Sequence, residues 1–458
     1  MTRPDQPAAA RPPGLGWLPP QPHVVVIGGG ASGVLMAVQL LSRPDRAFRV
    51  TLLEPARLPG PGLAYATADP DHLLNTRVRN MSAFPDRPGH FHDWLAARAE
   101  GATPECFVSR ATYGAYLADL LAPWAGEAVP QRLRIVRQEA LRLQDSARGV
   151  VVRLADGQTV IGDLAVLATG HVHEAPAPGL SGAWDAPAPP DPDGRVILVG
   201  SGLSMVDRVV TLLKSGHRGE ILAVSRRGLV PRAHAAGAPL PVSRAEVPFG
   251  APVSALAGWA RALVRRAEAQ GGSWRDAVDG IRPHVQAIWR SLPPVERARF
   301  LRHAAAWWDV HRHRVPPASE AVVHAALASG QLRLQRAEFL GAELLPSGPV
   351  ARIRLFGGEV GASIPAARIF DCRGIRRDPG RNASALIADL LARGRARVDP
   401  LRIGLEVDTR CRLVDGRGRP ADRLLAIGPV SRAAFWEITA IPDIRDQVQR
   451  LATELAVA

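Results

Sequence analysis

A short apolar strand that runs into closely spaced glycines and then into an apolar helix leaves a chain few folds to choose from, and this sequence contains the arrangement twice. His23 to Ile27, HVVVI, reads as a buried parallel strand. Gly28-Gly29-Gly30-Ala31-Ser32-Gly33 follows, and Val34 to Leu41 continues as an apolar helix. In this G-x-G-x-x-G pattern Gly28 makes the tight turn, Gly30 lets backbone approach a pyrophosphate, and Gly33 lets helix and strand pack closely. The N–H groups that open the helix, at Ala31 and Ser32, then face the phosphates. A second strand, Arg49 to Leu53, ends at Glu54, about 20 residues past the last glycine, where a carboxylate accepts hydrogen bonds from a ribose. An acid there suits the unphosphorylated adenosine ribose of FAD or NAD, not a 2′-phosphate.

The second copy is less complete. Arg195 to Val199, RVILV, leads into Gly200-Ser201-Gly202-Leu203-Ser204-Met205. Met205 stands where the third glycine would be, which predicts looser packing of helix on strand. The next strand, Ile221 to Ser225, ends in Arg226-Arg227-Gly228 instead of an acid. Arginines at that place pair with the 2′-phosphate of NADPH; the plainer alternative is two solvated arginines at a strand end. The two fingerprints together predict an α/β fold with two Rossmann-like dinucleotide-binding domains, one for FAD and one for NADPH.

Between and after the fingerprints lie the segments that would close the first domain. Short alternating strands are predicted around Leu133–Leu143, Val150–Leu154 and Thr159–Ile161, with Asp156-Gly157 as a hairpin turn. Leu164 to Leu167 is a buried strand that continues into Ala168-Thr169-Gly170. Leu424 to Ile427 is a strand ending in Gly428-Pro429, and Ile441-Pro442-Asp443 opens a final helix, Pro at a helix start being pre-organised. The dipole of that helix, aimed at a flavin edge, would stabilise the reduced anion. The predicted partition is 1–22 as a disordered lead-in, 23–190 and 331–458 as the FAD domain, 191–250 as the NADPH domain, and 251–330 as a Trp-rich helical insertion.

Composition removes competing classes. A chain 47% hydrophobic and 22% charged is an ordinary globular balance. Cys106, Cys372 and Cys411 form no C-x-x-C, so dithiol redox chemistry is disfavoured, and no metal-ligand spacing is present. The net charge of +14 suggests nucleic acid, but the basic residues are scattered and Lys214 is the only lysine, a pattern of Arg in place of Lys throughout. Attraction of anionic cofactors is the better use of that charge. No apolar run of about 18 residues occurs, so no membrane span is expected, and the cytoplasm is the default location.

With those segments in view, the chain resembles a bacterial family of FAD/NAD(P)-binding proteins related to the flavin-dependent N-hydroxylases and class B flavin monooxygenases. The resemblance runs from about His23 to the C-terminal helix. It rests on the first fingerprint, Gly62-Leu63-Ala64-Tyr65, His72-Leu73-Leu74-Asn75 with Met81-Ser82, Ala168-Thr169-Gly170-His171, Ser225-Arg226-Arg227-Gly228, Trp308-Asp309-Val310-His311-Arg312-His313-Arg314 and Trp436-Glu437-Ile438-Thr439-Ala440-Ile441-Pro442. It implies a glutathione-reductase-like fold in which Ala168-Thr169-Gly170 and Asp371-Cys372-Arg373-Gly374 are the two interdomain crossovers. Such proteins usually carry Gly-Asp, with the Asp on the ribityl chain, where this chain has Gly428-Pro429. The activity implied is NADPH-driven monooxygenation of a small amine or amino acid with O2; the alternatives are a flavin dehydrogenase passing electrons to another acceptor, or a non-catalytic flavin-binding sensor. Tyr65, His72 and Asn75 are candidate flavin or substrate contacts, with core packing as the competing role for Tyr65. Arg77 and Arg79 are candidate anchors for an anionic substrate; His311 and Arg312 would meet a substrate carboxylate or the NADPH phosphates, with capping of the insertion's surface as the plainer role. No residue stands out as a catalytic acid or base.

Overall fold

The computed structural model describes residues 18–98, 101–126, 131–146, 148–170, 177–183, 191–357, 361–374 and 378–457. Most of the expected lead-in, and His171, lie outside these residues.

The first fingerprint sits in a six-stranded sheet, ordered Arg412–Val414, Pro420–Ala426, Leu164–Leu167, His23–Ile27, Arg49–Leu53, Leu133–Val136. All neighbours are parallel except the edge strand Arg412–Val414. Parallel strands are covered on both faces, which is why these segments are near-continuous apolar runs. Val24, Val25, Val26, Leu164, Ala165 and Val166 are fully buried. The helices Ala31–Leu41 and Ile441–Ala456 pack on one another beside this sheet. The expected run Leu133–Leu143 is two strands: Leu133–Val136 joins the parallel sheet, and Ala140–Ser146 starts an antiparallel meander with Gly149–Leu154 and Thr159–Gly162. Gly157 takes a left-handed φ of 84° in the predicted hairpin turn.

The second fingerprint sits in a seven-stranded sheet, ordered Gly361–Pro365, Gly348–Leu355, Leu332–Leu345, Ile221–Ser225, Val196–Val199, Arg368–Asp371, Ser181–Gly182. Its centre is parallel; the long strand Leu332–Leu345 pairs parallel with Ile221–Ser225 as far as Arg336 and antiparallel with Gly348–Leu355 from Ala337 on, with an irregularity between Phe339 and Gly341. This corrects the expected return to the first domain at residue 331. Leu332 to Asp371 stays in the second sheet, with Ile221 opposite Leu332, and the chain leaves only after Asp371.

The helical insertion is shorter than expected for a related reason. Parallel strands need a crossover, usually a helix. Pro317–Ala328 supplies it between Ile221–Ser225 and Leu332–Leu345, and Val323 and Ala326 share a core with Val206, Val209 and Leu212 of the fingerprint helix Leu203–Lys214. The insertion proper runs from Val253–Ala269 to Ala305–Arg312. Its core closes on Ile403, Ala433 and Trp436, which lie in the C-terminal part of the chain. Trp289 stacks on Trp436 with centroids 4.7 Å apart, and its indole N–H donates to the Ala433 carbonyl at 2.8 Å. Trp307, on the same insertion, is half exposed.

Candidate dinucleotide and flavin site

Both fingerprints are built by the same local device. Gly28 has φ 103°, and a Cβ there would lie 2.5 Å from the Ala168 carbonyl oxygen; Gly200 has φ 112°, and a Cβ there would lie 2.5 Å from the Cys372 carbonyl oxygen. The first glycine of each loop is therefore pressed on one of the two crossovers, which puts Thr169 and Gly170 beside the first loop and Arg373 beside the second. A Cβ at Gly33 would overlap the Gly28 carbonyl oxygen at 1.8 Å, so only glycine lets the helix seat. At the matching place in the second loop, Met205 is fully buried among Val196, Leu198 and Val209.

The cradles themselves are open. A Cβ at Gly30 would meet only the Gly62 Cα, at 3.5 Å, and one at Gly202 would meet nothing within 4 Å. Neither Gly30 nor Gly202 gives its helix a side-chain cap, so the N–H groups at the start of each helix are turned to the cradle. Glu54 reaches the first loop: its Oε2 accepts from Gly29 N at 2.7 Å and its Oε1 from Ala56 N at 2.9 Å. Each oxygen keeps a lone pair for a ribose hydroxyl. Space at Gly30, unpaired helix N–H groups and a carboxylate at the strand end form a donor set that fits the adenosine diphosphate half of FAD. Gly60 to Gly62 borders this cradle, with Gly60 N donating to the Gly29 carbonyl at 2.7 Å. Gly62 was legible only as part of a motif, not as a wall of the cradle.

In the second fold, Ser201 and Ser225 build the turn after the second strand, a task that the glycine pattern did not single out. Ser201 Oγ donates to the Leu229 carbonyl at 2.5 Å and lies 2.9 Å from Ser225 Oγ, which accepts from Gly228 N at 3.0 Å. These bonds fix the turn that carries Arg226 and Arg227 to the glycine loop. Ser204 is half-buried in the first turn of the helix Leu203–Lys214.

The candidate contacts in Gly60 to Ser82 divide. The Tyr65 ring packs edge-on against Tyr113 with centroids 4.9 Å apart, and burial pushes its hydroxyl up to about 12. His72 is a bridge between the two folds: Nδ1 lies 2.7 Å from Thr67 Oγ1 and Nε2 2.8 Å from Thr211 Oγ1, on the fingerprint helix of the second fold. Thr211 Oγ1 donates to Asp69 at 2.8 Å, and Arg110 pairs with Asp207 at 3.0 Å across the same boundary. Asn75 presents its carbonyl to His234 Nε2 at 3.0 Å. Arg77 and Arg79 share Glu105, and Arg77 also reaches across to the Ala235 carbonyl at 3.1 Å.

At the other side of the cleft, the final helix Ile441–Ala456 begins at Ala440 without a side-chain cap, so its first N–H groups and dipole are unmasked. Gly428, at φ 65°, lies against Ser32, its N–H held by Gln447 Oε1 at 2.8 Å. Glu437 was not foreseen as a site residue. It takes a left-handed φ of 68°, which costs a side-chain-bearing residue roughly 1–2 kcal/mol. Its carboxylate accepts from the Trp308 indole N–H and from Arg312 Nε at 2.9 Å, and Glu437 and the Arg312 side chain are 3% and 8% exposed. Burial pushes the Glu437 carboxyl up, but Arg312, His313, Trp308 and Arg282 together outweigh it, and the net shift is down. Arg312 is thus committed to joining the insertion to the C-terminal segment. His311, next to it, faces away, edge-on to Trp274 and 2.7 Å from the Trp307 carbonyl. Cys372 and Cys411 are buried free thiols pushed up to about 12, and Cys106 is a half-buried free thiol.

Two outcomes follow from this geometry. Gly30→Val fills the cradle at little cost to the protein's own packing, so the purified variant should lack the yellow flavin chromophore while keeping its circular-dichroism spectrum; a fully yellow variant would remove this loop from the cofactor site. Burial lowers the His234 imidazole to about 4 from 6.5. A depressed base contributes stability above its unfolded value that is lost as pH falls through the folded one. The unfolding free energy, read from denaturant titrations, should therefore drop between pH 6.5 and about 4, by up to about 1.4 kcal/mol per pH unit from this group. His234→Gln should flatten that slope; an unchanged slope would assign it to other groups.

Comparison with known proteins agrees with this construction. Residues 25–172 match a family described as FAD-NAD(P)-binding. Over 203 residues the chain is 27% identical to L-aspartate N-monooxygenase (nitrosuccinate-forming) of Streptomyces davaonensis, covering 34% of this chain but only 30% of that protein's length. Among solved structures, L-lysine 6-monooxygenase from Pseudomonas syringae superimposes with a TM-score of 0.60 at 15% identity, over 96% of this chain and 100% of that one. The reduced form of ornithine hydroxylase from Pseudomonas aeruginosa gives 0.59 at 15% identity, over 95% and 100%. Thioredoxin reductase of Lactococcus lactis gives 0.51 at 12% identity, over 95% and 99%. The chain therefore has the fold of the two-dinucleotide-binding flavoproteins, and an FAD-NAD(P)-binding domain over its first third.

Proposed function

We propose that this protein is an FAD-dependent, NADPH-using monooxygenase of the N-hydroxylase kind, which inserts one oxygen atom of O2 into the amino group of a small amine or amino acid. The observation that carries the proposal is the seal between the insertion and the C-terminal segment: the buried Arg312–Glu437 pair, the Trp308 indole and the Trp289–Trp436 stack, set just before the uncapped helix at Ile441. The buried thiols favour this over the thiol-reductase chemistry of other proteins that share the fold, because a thiol at about 12 supplies no thiolate near neutrality. The curated relative named as an aspartate N-monooxygenase points the same way.

FAD, when bound, supplies the chemistry: it accepts a hydride from NADPH and passes electrons to O2, so that amine, O2, NADPH and a proton become hydroxylamine, water and NADP+. The chain's own residues bind, orient and exclude water. Gly28, Gly30 and the N–H groups of Ala31 and Ser32 would hold the FAD pyrophosphate, Gly33 seats their helix, and Glu54 would hold the ribose. Thr169, Gly170, Gly428 and the helix N-terminus at Ile441 would border the flavin. Gly200, Gly202, Ser204 and the turn after Ser225 would take NADPH. Arg79, exposed beside Glu105, would be the accessible guanidinium for a substrate carboxylate, and Arg77, already bonded to Glu105 and to the Ala235 carbonyl, would hold the loop in place for it. The insertion keeps water from the reacting oxygen, and Trp308, Arg312 and Glu437 position it.

With the right amino acid, NADPH consumed and hydroxylated product formed should approach one to one. Trp308→Phe keeps the ring but removes the bond to Glu437, and should divert turnover to hydrogen peroxide with the rate of NADPH oxidation retained. If a panel of amines and amino acids yields no hydroxylated product, while a quinone reoxidises the reduced protein quickly, the protein is a dehydrogenase.

A further inference from the structure

Two adjacent arginines, Arg226 and Arg227, follow the second strand of the NADPH fold, but the structure gives them different work. Arg227 donates to the carbonyl of Arg302, and to that of His303 at 3.3 Å. These are the last carbonyls of the helix Pro294–His303, groups that a helix leaves without partners of its own. Arg227 is spent on capping the insertion.

A different arginine takes its place beside Arg226. Arg336 lies on the neighbouring parallel strand directly opposite Ser225, so its side chain leaves the sheet at the same edge as the turn. Its Nε donates to the Arg226 carbonyl at 3.4 Å, and its Cζ stands 3.7 Å from the centroid of the Phe356 ring. Phe356 is 70% exposed, so its ring face offers the Arg336 guanidinium a platform at the surface. Among the described residues neither Arg226 nor Arg336 has an ion-pair partner, and the nearby Glu338 is taken by Arg354. A Cβ at Gly228 would stand 3.9 Å from the Arg336 Cβ, so this arginine is set against the turn itself, and a dianion held there would meet a guanidinium with no carboxylate of its own. The Ser201–Ser225–Gly228 bonds tie this pair to the open cradle at Gly202.

We infer that Arg226 and Arg336, with Phe356 as the platform that holds Arg336 flat, read the 2′-phosphate of the nicotinamide cofactor, and that Arg227 does not. This rests on the NADPH reading above. Calorimetric titration with NADP+, NAD+ and adenosine 2′,5′-bisphosphate tests it without turnover. The unsubstituted protein should bind NADP+ more tightly than NAD+. Arg336→Ala should weaken NADP+ and the bisphosphate by about tenfold or more, the effect of losing a charge-assisted contact, and leave NAD+ unchanged. Arg336→Lys should recover part of the loss, and Arg227→Ala should keep the NADP+ preference while lowering the thermal midpoint. An Arg336→Ala variant with unchanged preference, or an Arg227→Ala variant that loses it, overturns the inference. Equal binding of NADP+ and NAD+ by the unsubstituted protein would instead overturn the NADPH reading, and this inference with it.

Discussion

The close approach of two glycines to two crossovers organises the rest of the molecule. Gly28 meets the Ala168 carbonyl and Gly200 the Cys372 carbonyl at a distance no side chain tolerates. Each contact fixes three things together: the turn that opens the cradle, the seat of the helix behind it, and the strand that carries the chain into the other fold. Because the crossovers are also the connections between the folds, the two cradles are set relative to one another by the same contacts that shape them. The polar bridge of His72, Thr211 and Asp69, the Arg110–Asp207 pair, and His234 on Asn75 add specific ties across the boundary.

A second constraint acts at the far end of the chain. The segment from Gly428 to Ile441 must pass between the first fingerprint, where Gly428 lies on Ser32, and the insertion, where Trp436 stacks on Trp289. Glu437 makes the turn in a conformation that favours glycine, and the Trp308 and Arg312 bonds offset that cost. A site that must hold water away from a reactive oxygen benefits from such a fixed wall, and both the wall and the final helix derive from one short stretch of sequence.

Much of this was legible before any coordinates. The two fingerprints, the acid at Glu54, the Asp156-Gly157 turn and the Pro-started final helix are local patterns, in which the residue that matters and the geometry it serves are neighbours in sequence; the crossovers were legible only through the family resemblance. What was not legible depends on pairing between distant segments. Leu332 to Asp371 alternates as a strand would in either domain, and only its parallel pairing with Ile221 to Ser225 assigns it to the second sheet. That same pairing brings Arg336 to Arg226, and the insertion's fold takes Arg227 away to a helix end. Arg312 looked like an anion anchor because its partner, Glu437, is far along the chain. His72 looked like a ligand contact because a polar residue in a loop over a cofactor reads the same whether it faces the ligand or the next domain, and both its ring nitrogens are taken by Thr67 and Thr211.

The central claim is that two dinucleotides occupy the two cradles and exchange electrons. Anaerobic titration of the FAD-loaded protein with NADPH, followed by the flavin absorbance, tests it most directly. The account predicts that the yellow colour bleaches completely at one equivalent of NADPH per flavin, and that Gly202→Val, which fills the second cradle alone, abolishes bleaching by NADPH while dithionite still bleaches the flavin. A flavin that stays oxidised with excess NADPH, or a Gly202→Val variant that bleaches as the unsubstituted protein does, would contradict it.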